Sequence, residues 1–281
     1  MITTVKSHPQ PYSASASASD IQSPMMLITH ERIAYVGLLG SPAQRVLGSL
    51  TVYVSLGRPF RFCMEGSTWQ ETSLAVIAPY APHQIASDDR YIGILMVEPE
   101  SVHLPSLPEY LRATGVPEFV SSEDQLDRLR RALGHLQGQV VPATADEFDT
   151  LFFAGPLARR SMDHRIAVIA RRINAQPHEP HDAEANARQV DLSFSRFLHL
   201  FAGNMGVNFR KYRAWKRARN LLTYVSRNQS LTDVALDLGY PDSTHFSHSI
   251  RSFYGLKPRD IFAGSKRLMV IAPLALAGSA A

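Results

Sequence analysis

The feature that most constrains the fold is a pattern that occurs twice in the last third of the chain. Phe197 stands two residues before a histidine and nine before Gly206, and 49 residues later Phe246 stands at the same distances from a histidine and from Gly255. An alanine precedes the phenylalanine by ten residues in the first copy and by eleven in the second, so the second copy has a longer turn. Internal repetition of this kind predicts two related supersecondary units.

The second copy has the pattern of two helices joined by a tight turn. Ser230 and Asp233 resemble a capping box, and apolar residues follow them at helical spacing. Gly239 can adopt the left-handed conformation that ends a helix, and Asp242 or Ser243 can cap a second helix that runs to Gly255. A helix-turn-helix unit of this kind places its second helix in the major groove of DNA.

The polar face of each second helix predicts the residues that contact bases. At about 100° per residue, the side opposite the apolar positions carries hydrogen-bonding side chains, which are the types that reach base edges. They are Thr244, His245, His248 and Arg251 in the second copy, and Ser195, Arg196 and His199 in the first. A metal site at His245 and His248 is the alternative, but no third ligand lies near them in the sequence.

A basic helix is predicted between the two copies. From residue 208 to residue 225, apolar residues recur every three or four positions, which indicates one connecting helix with a buried side. Its other side is rich in lysine and arginine, which we expect to contact DNA phosphates; a solvated charged face is the alternative. The predicted phosphate contacts are Arg210, Lys211, Arg213 and Lys216 in this helix, and Lys257 and Arg259 after the second copy.

The charge is divided unevenly along the chain. Residues 1 to 158 contain 10 Lys+Arg and 16 Asp+Glu, whereas residues 159 to 281 contain 19 and 9. A basic half joined to an acidic half is typical of a polyanion-binding module attached to a separate domain. The length of 281 residues also favours two domains.

The stretch SLTDVALDLGYPDSTHFSHSIRSFYGLKP closely resembles the signature of AraC/XylS-family bacterial transcription regulators, and the preceding copy resembles the first of that family's two helix-turn-helix units. The resemblance covers roughly residues 160 to 262. It implies two recognition helices held at adjacent major grooves of promoter DNA, with RNA polymerase as a further partner. The chain departs from the family pattern at Asp191, where glycine is frequent, and at Ile250, where an aromatic residue is usual.

The acidic half has the pattern of β-strands. Residues 30 to 100 contain short alternating runs separated by Gly, Pro, Ser and Asp, which predicts a small barrel or sandwich. Because the family often has a cupin-like barrel here, the resemblance implies a sensor for a small effector. The expected fold class is α+β with two domains, an N-terminal cupin-like β-barrel followed by an all-α domain with two helix-turn-helix units joined by a connecting helix. We expect a disordered tail at residues 1 to 22, the barrel at 23 to 110, a helical linker at 111 to 158, the DNA-binding domain at 159 to 262 and a second tail at 263 to 281.

The candidate effector site consists of side chains that suit an anionic or aromatic ligand. They are Arg58, Arg61, Trp69 and His83, for which rim or core positions are the alternative. His83 and His103 are also the obvious metal ligands, but no H-x-H motif with a following Glu accompanies them, as a metal-binding cupin requires. We therefore expect no metal, no other cofactor and no catalytic residue.

Leucines after the predicted barrel stand at coiled-coil spacing. They are Leu126, Leu129, Leu133 and Leu136. Packing within the domain is one explanation. The other is a homodimer seam, since the family often dimerises through a helix that follows its barrel.

Composition indicates a cytoplasmic protein. Cys63 is the single cysteine, so an internal disulfide framework is excluded, and the first twenty residues lack the apolar run of a secretory signal. The apolar stretch LMVIAPLALA near the end is interrupted by Pro273. It has about half of the roughly 20 residues that cross a bilayer, so we expect no membrane contact.

The leading hypothesis is a DNA-binding transcription regulator whose N-terminal half senses a small molecule or sets the oligomeric state. Two alternatives stay open. One is a cupin-type metal-dependent enzyme fused to a DNA-binding domain. The other is a regulator without a small-molecule ligand, whose barrel only dimerises or contacts polymerase.

Overall fold

The computed structural model describes residues 23 to 112, 123 to 136 and 141 to 272. Within these ranges the chain forms a β-rich N-terminal domain and an all-helical C-terminal domain, as the sequence predicts. The tail predicted at residues 1 to 22 lies outside the described residues, as do residues 273 to 281 of the second predicted tail.

The N-terminal domain is built from two sheets. Its strands are β1 (Met25–Ile28), β2 (Arg32–Gly37), β3 (Leu50–Ser55), β4 (Phe60–Met64), β5 (Gln70–Thr72), β6 (Leu74–Ile77), β7 (His83–Ala86) and β8 (Ile92–Val97). One sheet has the order β6-β3-β8-β2-β1, all antiparallel, and the other has the order β5-β4-β7. Among the described residues the larger sheet does not close on itself, so the closed form of the predicted barrel is not confirmed.

The larger sheet is covered on both faces. Every residue of β3 and β8 is buried, which is why these strands consist of nearly continuous apolar runs. One face packs against α1 (Glu123–His135) and α2 (Ala145–Phe153). At the edge of this core, the buried guanidinium of Arg32 donates two hydrogen bonds to the carboxylate of Asp149 in α2, at 2.7 and 2.8 Å.

The leucine stripe of α1 belongs to this core. Leu129, Leu133 and Leu136 are at most 2% exposed and pack with the apolar residues of the sheet and α2, while Leu126 is half-buried beside them. The interpretation of these leucines as a homodimer seam is therefore corrected: their apolar surface is already used within the chain. Coiled-coil spacing marks a buried stripe but does not say what buries it.

The C-terminal domain consists of helices, and all of them except the last begin after a residue whose side chain caps the helix. They are α3 (His164–Ala175), α4 (Ala183–Gln189), α5 (Phe194–Met205), α6 (Phe209–Asn220), α7 (Leu231–Asp237), α8 (Ser243–Tyr254) and α9 (Pro258–Gly264). The side chains of Asp163, Asp182, Ser193, Asn208, Ser230 and Asp242 each accept a hydrogen bond from a backbone N–H of the first turn that follows. The connecting helix α6 ends at Asn220, five residues earlier than predicted, and continues as a 3-10 turn, Leu221–Thr223.

After α9 the chain returns to the N-terminal domain. Met269–Ile271 forms a further strand, β9, which pairs in parallel with β1 and extends the larger sheet. Val270 and Ile271 are 3% and 7% exposed. Part of the segment that the sequence places in a tail is thus a strand at the edge of the larger sheet, where its apolar side chains are buried.

Candidate nucleic-acid interface

The first helix-turn-helix unit consists of α4 and α5. Asp191, in the turn between them, has a left-handed backbone with φ of 53°, so aspartate occupies the conformation for which glycine is favoured. Ser193 caps α5, and Gly206, with φ of 70°, ends it. Phe197, Phe201 and Met205 face the core, and the predicted base-contacting residues Ser195, Arg196 and His199 are all exposed.

The second unit, α7 and α8, repeats this construction. Gly239 in its turn has φ of 73°, and a Cβ at this position would collide with the backbone carbonyl oxygen of His178. The apolar residues of α8, namely Phe246, Ile250, Phe253 and Tyr254, are buried. The predicted base-contacting residues Thr244, His245, His248 and Arg251 are exposed. The structure thus places both polar faces at the surface of the molecule.

Asp242 holds the ring of His245 at the start of α8. Its Oδ1 accepts the backbone N–H groups of Thr244 and His245, both at 2.8 Å, and its Oδ2 lies 2.8 Å from His245 Nδ1. The backbone N–H of His245, followed by its side chain, lowers the pKa of Asp242. Because a carboxylate only accepts, Nδ1 carries the proton, which leaves His245 Nε2 for a partner outside the chain.

Most of the predicted phosphate-contacting cations lie at the surface. Arg210, Lys211, Lys257 and Arg259 are exposed. Arg213 is half-buried, and desolvation, together with the charge of Arg217, lowers its pKa. These side chains come from α6 and from the segment around the start of α9, on either side of the second unit in the sequence.

Lys216 is the exception, and its predicted contact with phosphate is corrected. Its side chain is 3% exposed and forms ion pairs with Glu98 and Glu100, which follow β8. Arg219 Nε lies 2.7 Å from Glu98 Oε1, and Trp215 Nε1 donates to Glu98 Oε2 at 3.1 Å. Burial would raise the pKa of Glu98, but Lys216 and Arg219 outweigh it and lower the pKa. Two cations of the basic half therefore neutralise two carboxylates of the acidic half between the domains.

The predicted effector residues do not form one site. Arg58 and Arg61 are 69% and 56% exposed, the former paired with Asp89 at 3.0 Å, and Trp69 is 46% exposed. His83 is buried instead. Its Nε2 lies 2.8 Å from the hydroxyl of Tyr53 and its Nδ1 lies 2.9 Å from the carbonyl oxygen of Ala81, so it has the structural role that the sequence left as the alternative. Burial lowers its pKa to about 4.

A cavity that the sequence did not predict lies between the larger sheet and the segments on either side of the second helix-turn-helix unit, after α6 and around α9, with Tyr254 at the end of α8 also in its lining. Its volume is about 350 Å³. Most of its lining is apolar, and examples are Met26, Ile33, Leu47, Met96, Leu222, Ile261 and Leu268. The polar exceptions in its wall include Arg45, Tyr53, Asp260, Ser41 and Ser265. None of the four predicted effector residues belongs to this lining.

Arg45 is a buried cation without a carboxylate partner among the described residues. It is 6% exposed, its Nη2 donates to the carbonyl oxygen of Leu39 at 2.6 Å, and its Nε has no hydrogen-bond partner. A buried charge is costly unless it is paired, so this part of the cavity favours an anionic group.

The described residues contain neither a candidate metal-binding cluster nor a candidate membrane-spanning helix. They contain no group of three or more His, Cys, Asp and Glu residues that could hold a metal ion. None of their helices has the length and apolar character needed to span a bilayer. Cys63 is a free thiol, and His103 contacts the hydroxyl of Ser106 at 2.6 Å.

Comparison with known proteins identifies the helical part. Residues 186–264 match the family model for a helix-turn-helix domain. The chain is 30% identical over 71 residues to the invasion protein InvF of Salmonella typhi, an alignment that covers 25% of this chain and 33% of InvF. The chain therefore spans only about a third of the length of this curated relative.

Solved structures share the fold of both domains. A crystal structure of ToxT from Vibrio cholerae has a TM-score of 0.56 at 10% identity, and the match covers 85% of this chain and 100% of that one. Wild-type ToxT from Vibrio cholerae with a bound unsaturated fatty acid has a TM-score of 0.52 at 10% identity, over 84% of this chain and 96% of that one. At this identity the likeness concerns the fold alone.

Proposed function

We propose that the C-terminal helices form an AraC-type helix-turn-helix DNA-binding domain, and that the whole chain is a sequence-specific transcription regulator that places α5 and α8 in neighbouring major grooves of promoter DNA. The observation that carries the proposal is the exposure of every predicted base-contacting side chain on two helices whose apolar sides are buried. Short polar side chains and histidines at the start of a recognition helix are suited to base edges.

Base and phosphate contacts contribute differently to binding. His248 lies opposite the buried residues of α8, so we assign it a base contact, which is worth roughly 1 to 3 kcal/mol of discrimination. Lys257 and Arg259 are exposed cations beyond the recognition helix and suit phosphates. Phosphate contacts strengthen binding to any sequence and make it depend on salt.

Mapping of bound DNA across the genome with the full chain, followed by fluorescence anisotropy on the sites found, tests this assignment. His248→Ala should weaken binding to the cognate site by about 5- to 150-fold and binding to random DNA much less. The matched variant Lys257→Ala should weaken binding to both DNAs and reduce the slope of log K against log salt by about one. Equal losses for His248→Ala on both DNAs would refute its base contact.

We further propose that the cavity binds an anionic amphiphile, such as a long-chain fatty acid, as the effector. The cavity is apolar apart from a few polar groups, and Arg45 supplies an unpaired buried charge for a carboxylate. Its volume of about 350 Å³ is within the usual range for small-molecule sites. The ToxT structure with an unsaturated fatty acid gives a precedent for such a ligand in a protein of this fold.

Native mass spectrometry of the full chain with oleate tests the effector. We expect saturable binding of one oleate, strongly weakened by Arg45→Met and retained by Arg58→Met. Arg58 is the control because its side chain is 69% exposed and does not line the cavity. Binding of oleate to Arg45→Met with unchanged affinity would show that the carboxylate does not lie at Arg45.

We also propose RNA polymerase as a protein partner and consider a homodimer. RNA polymerase follows from the resemblance to transcription regulators. A homodimer has to use a surface other than the leucines of α1, because three of the four are buried within the chain. Light scattering of the full chain, with and without its cognate DNA, distinguishes a monomer from a dimer.

A further inference from the structure

The two helix-turn-helix units differ in what their cores contain. The first unit has a core of its own, in which Phe197 and Phe201 pack with Ile166, Ile169 and other helical residues and with no residue of the sheets. The second unit has no separate core. Its Val234 and Phe246 belong to one continuous cluster with residues of the larger sheet.

The connecting helix α6 contains the boundary between these cores. Phe209 and Tyr212 in its first half pack in the core of the first unit. Trp215 and Ala218 in its second half pack in the core shared by the sheet and the second unit. The boundary between the two cores therefore falls between Tyr212 and Trp215, and the hydroxyl of Tyr212 also donates to Glu100 of the N-terminal domain at 3.1 Å.

Backbone contacts join the N-terminal domain directly to the end of α8. The N–H of Val46 donates to the carbonyl oxygen of Phe253 at 2.9 Å. Gly255, with φ of 69°, comes so close to the backbone that a Cβ there would lie 2.6 Å from the carbonyl oxygen of Gln44. The recognition helix of the second unit thus ends on the sensor domain.

The segment after α9 forms a second connection. The N–H of Met269 donates to the carbonyl oxygen of Pro24 at 3.1 Å, and β9 then pairs with β1. Leu268, just before β9, lines the cavity together with Ile261 and Ser265. The opposite wall comes from the sheet, and the lining contains no residue of α4 or α5.

We propose that the sensor domain controls the second helix-turn-helix unit alone. The occupancy of the cavity and the pairing of β9 determine whether α8 is positioned to enter its groove. The helix α5 binds its own groove independently. This rests on the proposed function, in which both helices contact DNA. A ligand shifts such an equilibrium only as far as its affinities for the two arrangements differ, which is typically about 5- to 150-fold. The cavity can meet this condition because one wall belongs to the sheet, while the other consists of the end of α8 at Tyr254 and of the segments that flank the second unit.

The test measures discrimination separately in each groove. The full chain is titrated with its selected DNA site, with a duplex in which the bases under α5 are scrambled, and with one in which the bases under α8 are scrambled. The ratio of each Kd to that of the intact site gives the discrimination of each helix. Val270→Asp places a charge at a position of β9 that is 3% exposed, whereas Met269→Asp, at 39% exposure in the same strand, is the matched control.

We expect Val270→Asp to reduce discrimination under α8 at least fivefold, with discrimination under α5 within twofold of wild type. Preserved discrimination under α5 also shows that the variant is folded. Met269→Asp should behave as wild type. Equal losses under both helices, or a loss under α5 alone, would overturn the proposal.

Addition of oleate to the wild-type chain provides the second arm. We expect it to change discrimination under α8 and to leave α5 unaffected, and we expect this response to disappear in Val270→Asp. Bound oleate that changes both ratios alike, or neither, would overturn control of the second unit by the cavity. If oleate does not bind, the proposed effector is wrong, and the Val270→Asp result still decides whether the sensor domain controls α8 alone. If neither duplex discriminates in wild type, the proposed function itself fails.

Discussion

Replacement of Lys216 by methionine tests the contact between the two domains. Lys216 forms ion pairs with both Glu98 and Glu100, and all three side chains are nearly fully buried. Methionine retains much of the apolar volume of lysine but leaves the two carboxylates without this cation. The structure therefore predicts a loss of stability rather than a simple loss of DNA affinity.

The size of this loss of stability depends on the partners that Glu98 and Glu100 retain in Lys216→Met. Removal of one partner from a buried ion pair costs about 3 to 5 kcal/mol. Glu98 keeps Arg219 and Trp215, and Glu100 keeps the hydroxyl of Tyr212 at 3.1 Å. We therefore expect the lower end, about 3 kcal/mol, or roughly 6 to 12 °C in the melting temperature of a chain of this size.

The loss of stability caused by Lys216→Met should become smaller as the solution becomes acidic. In the wild-type chain the pKa of Glu98 is lowered from its ordinary value of 4.5, because Lys216 and Arg219 outweigh the effect of burial. A lowered carboxyl pKa contributes stability above the ordinary value, and that contribution is lost as the pH falls through the folded-state pKa. The difference between wild type and Lys216→Met should hence be full near pH 7 and shrink below about pH 4.5.

Urea and thermal denaturation of the full chain between pH 3.5 and pH 7 measure this prediction. Arg210→Met is the matched control, because Arg210 is an exposed residue of the same helix, and it should change stability by less than about 0.5 kcal/mol. Adding Glu100→Gln to Lys216→Met should restore part of the stability, since one unpaired carboxylate is removed. A Lys216→Met chain that melts like wild type and lowers the salt slope as Lys257→Ala does would refute the buried role.

Two further predictions concern the turns of the second unit. Gly239→Ala should destabilise the folded chain by more than about 2 kcal/mol in urea denaturation. A left-handed alanine costs about 1 to 2 kcal/mol, and the Cβ at residue 239 would also collide with the carbonyl oxygen of His178. Gly206→Ala is the control, because Gly206 has a similar φ but open space around it, so this variant should lose only the roughly 1 to 2 kcal/mol of the left-handed backbone. Asp242→Asn should keep the helix cap while its amide donates to Nδ1 of His245, so that Nε2–H becomes a donor. The preferred base at that position should then change from adenine or cytosine, which offer donors, to guanine or thymine, which offer acceptors. An unchanged preference among the four bases would contradict the orientation of the ring.

Local signals in the sequence were sufficient to predict the helices of the C-terminal domain and the residues on their polar faces. Capping residues, glycines with positive φ and apolar spacing depend on neighbours within a few positions, so α8 begins at Ser243 after its predicted cap, Asp242. The burial of Lys216 could not be found in this way, since its partner Glu98 is 118 residues away in the sequence. The cavity was missed for the same reason, because its lining combines residues from β1 to β8 with residues beyond α6.

The structure shows that some of the cations that make residues 159 to 281 basic are paired inside the molecule. The excess of cations in residues 159 to 281 predicts binding of a polyanion, and part of that excess is exposed, as at Lys257, for which we propose a phosphate contact. Another part, Lys216 and Arg219, neutralises carboxylates of the acidic half inside the molecule. Each buried cation contributes nothing to counterion release, which scales with the phosphates neutralised. The salt dependence of the proposed DNA binding should thus be smaller than the count of lysines and arginines in α6 predicts, because Lys216 and Arg219 of this helix form ion pairs with the N-terminal domain.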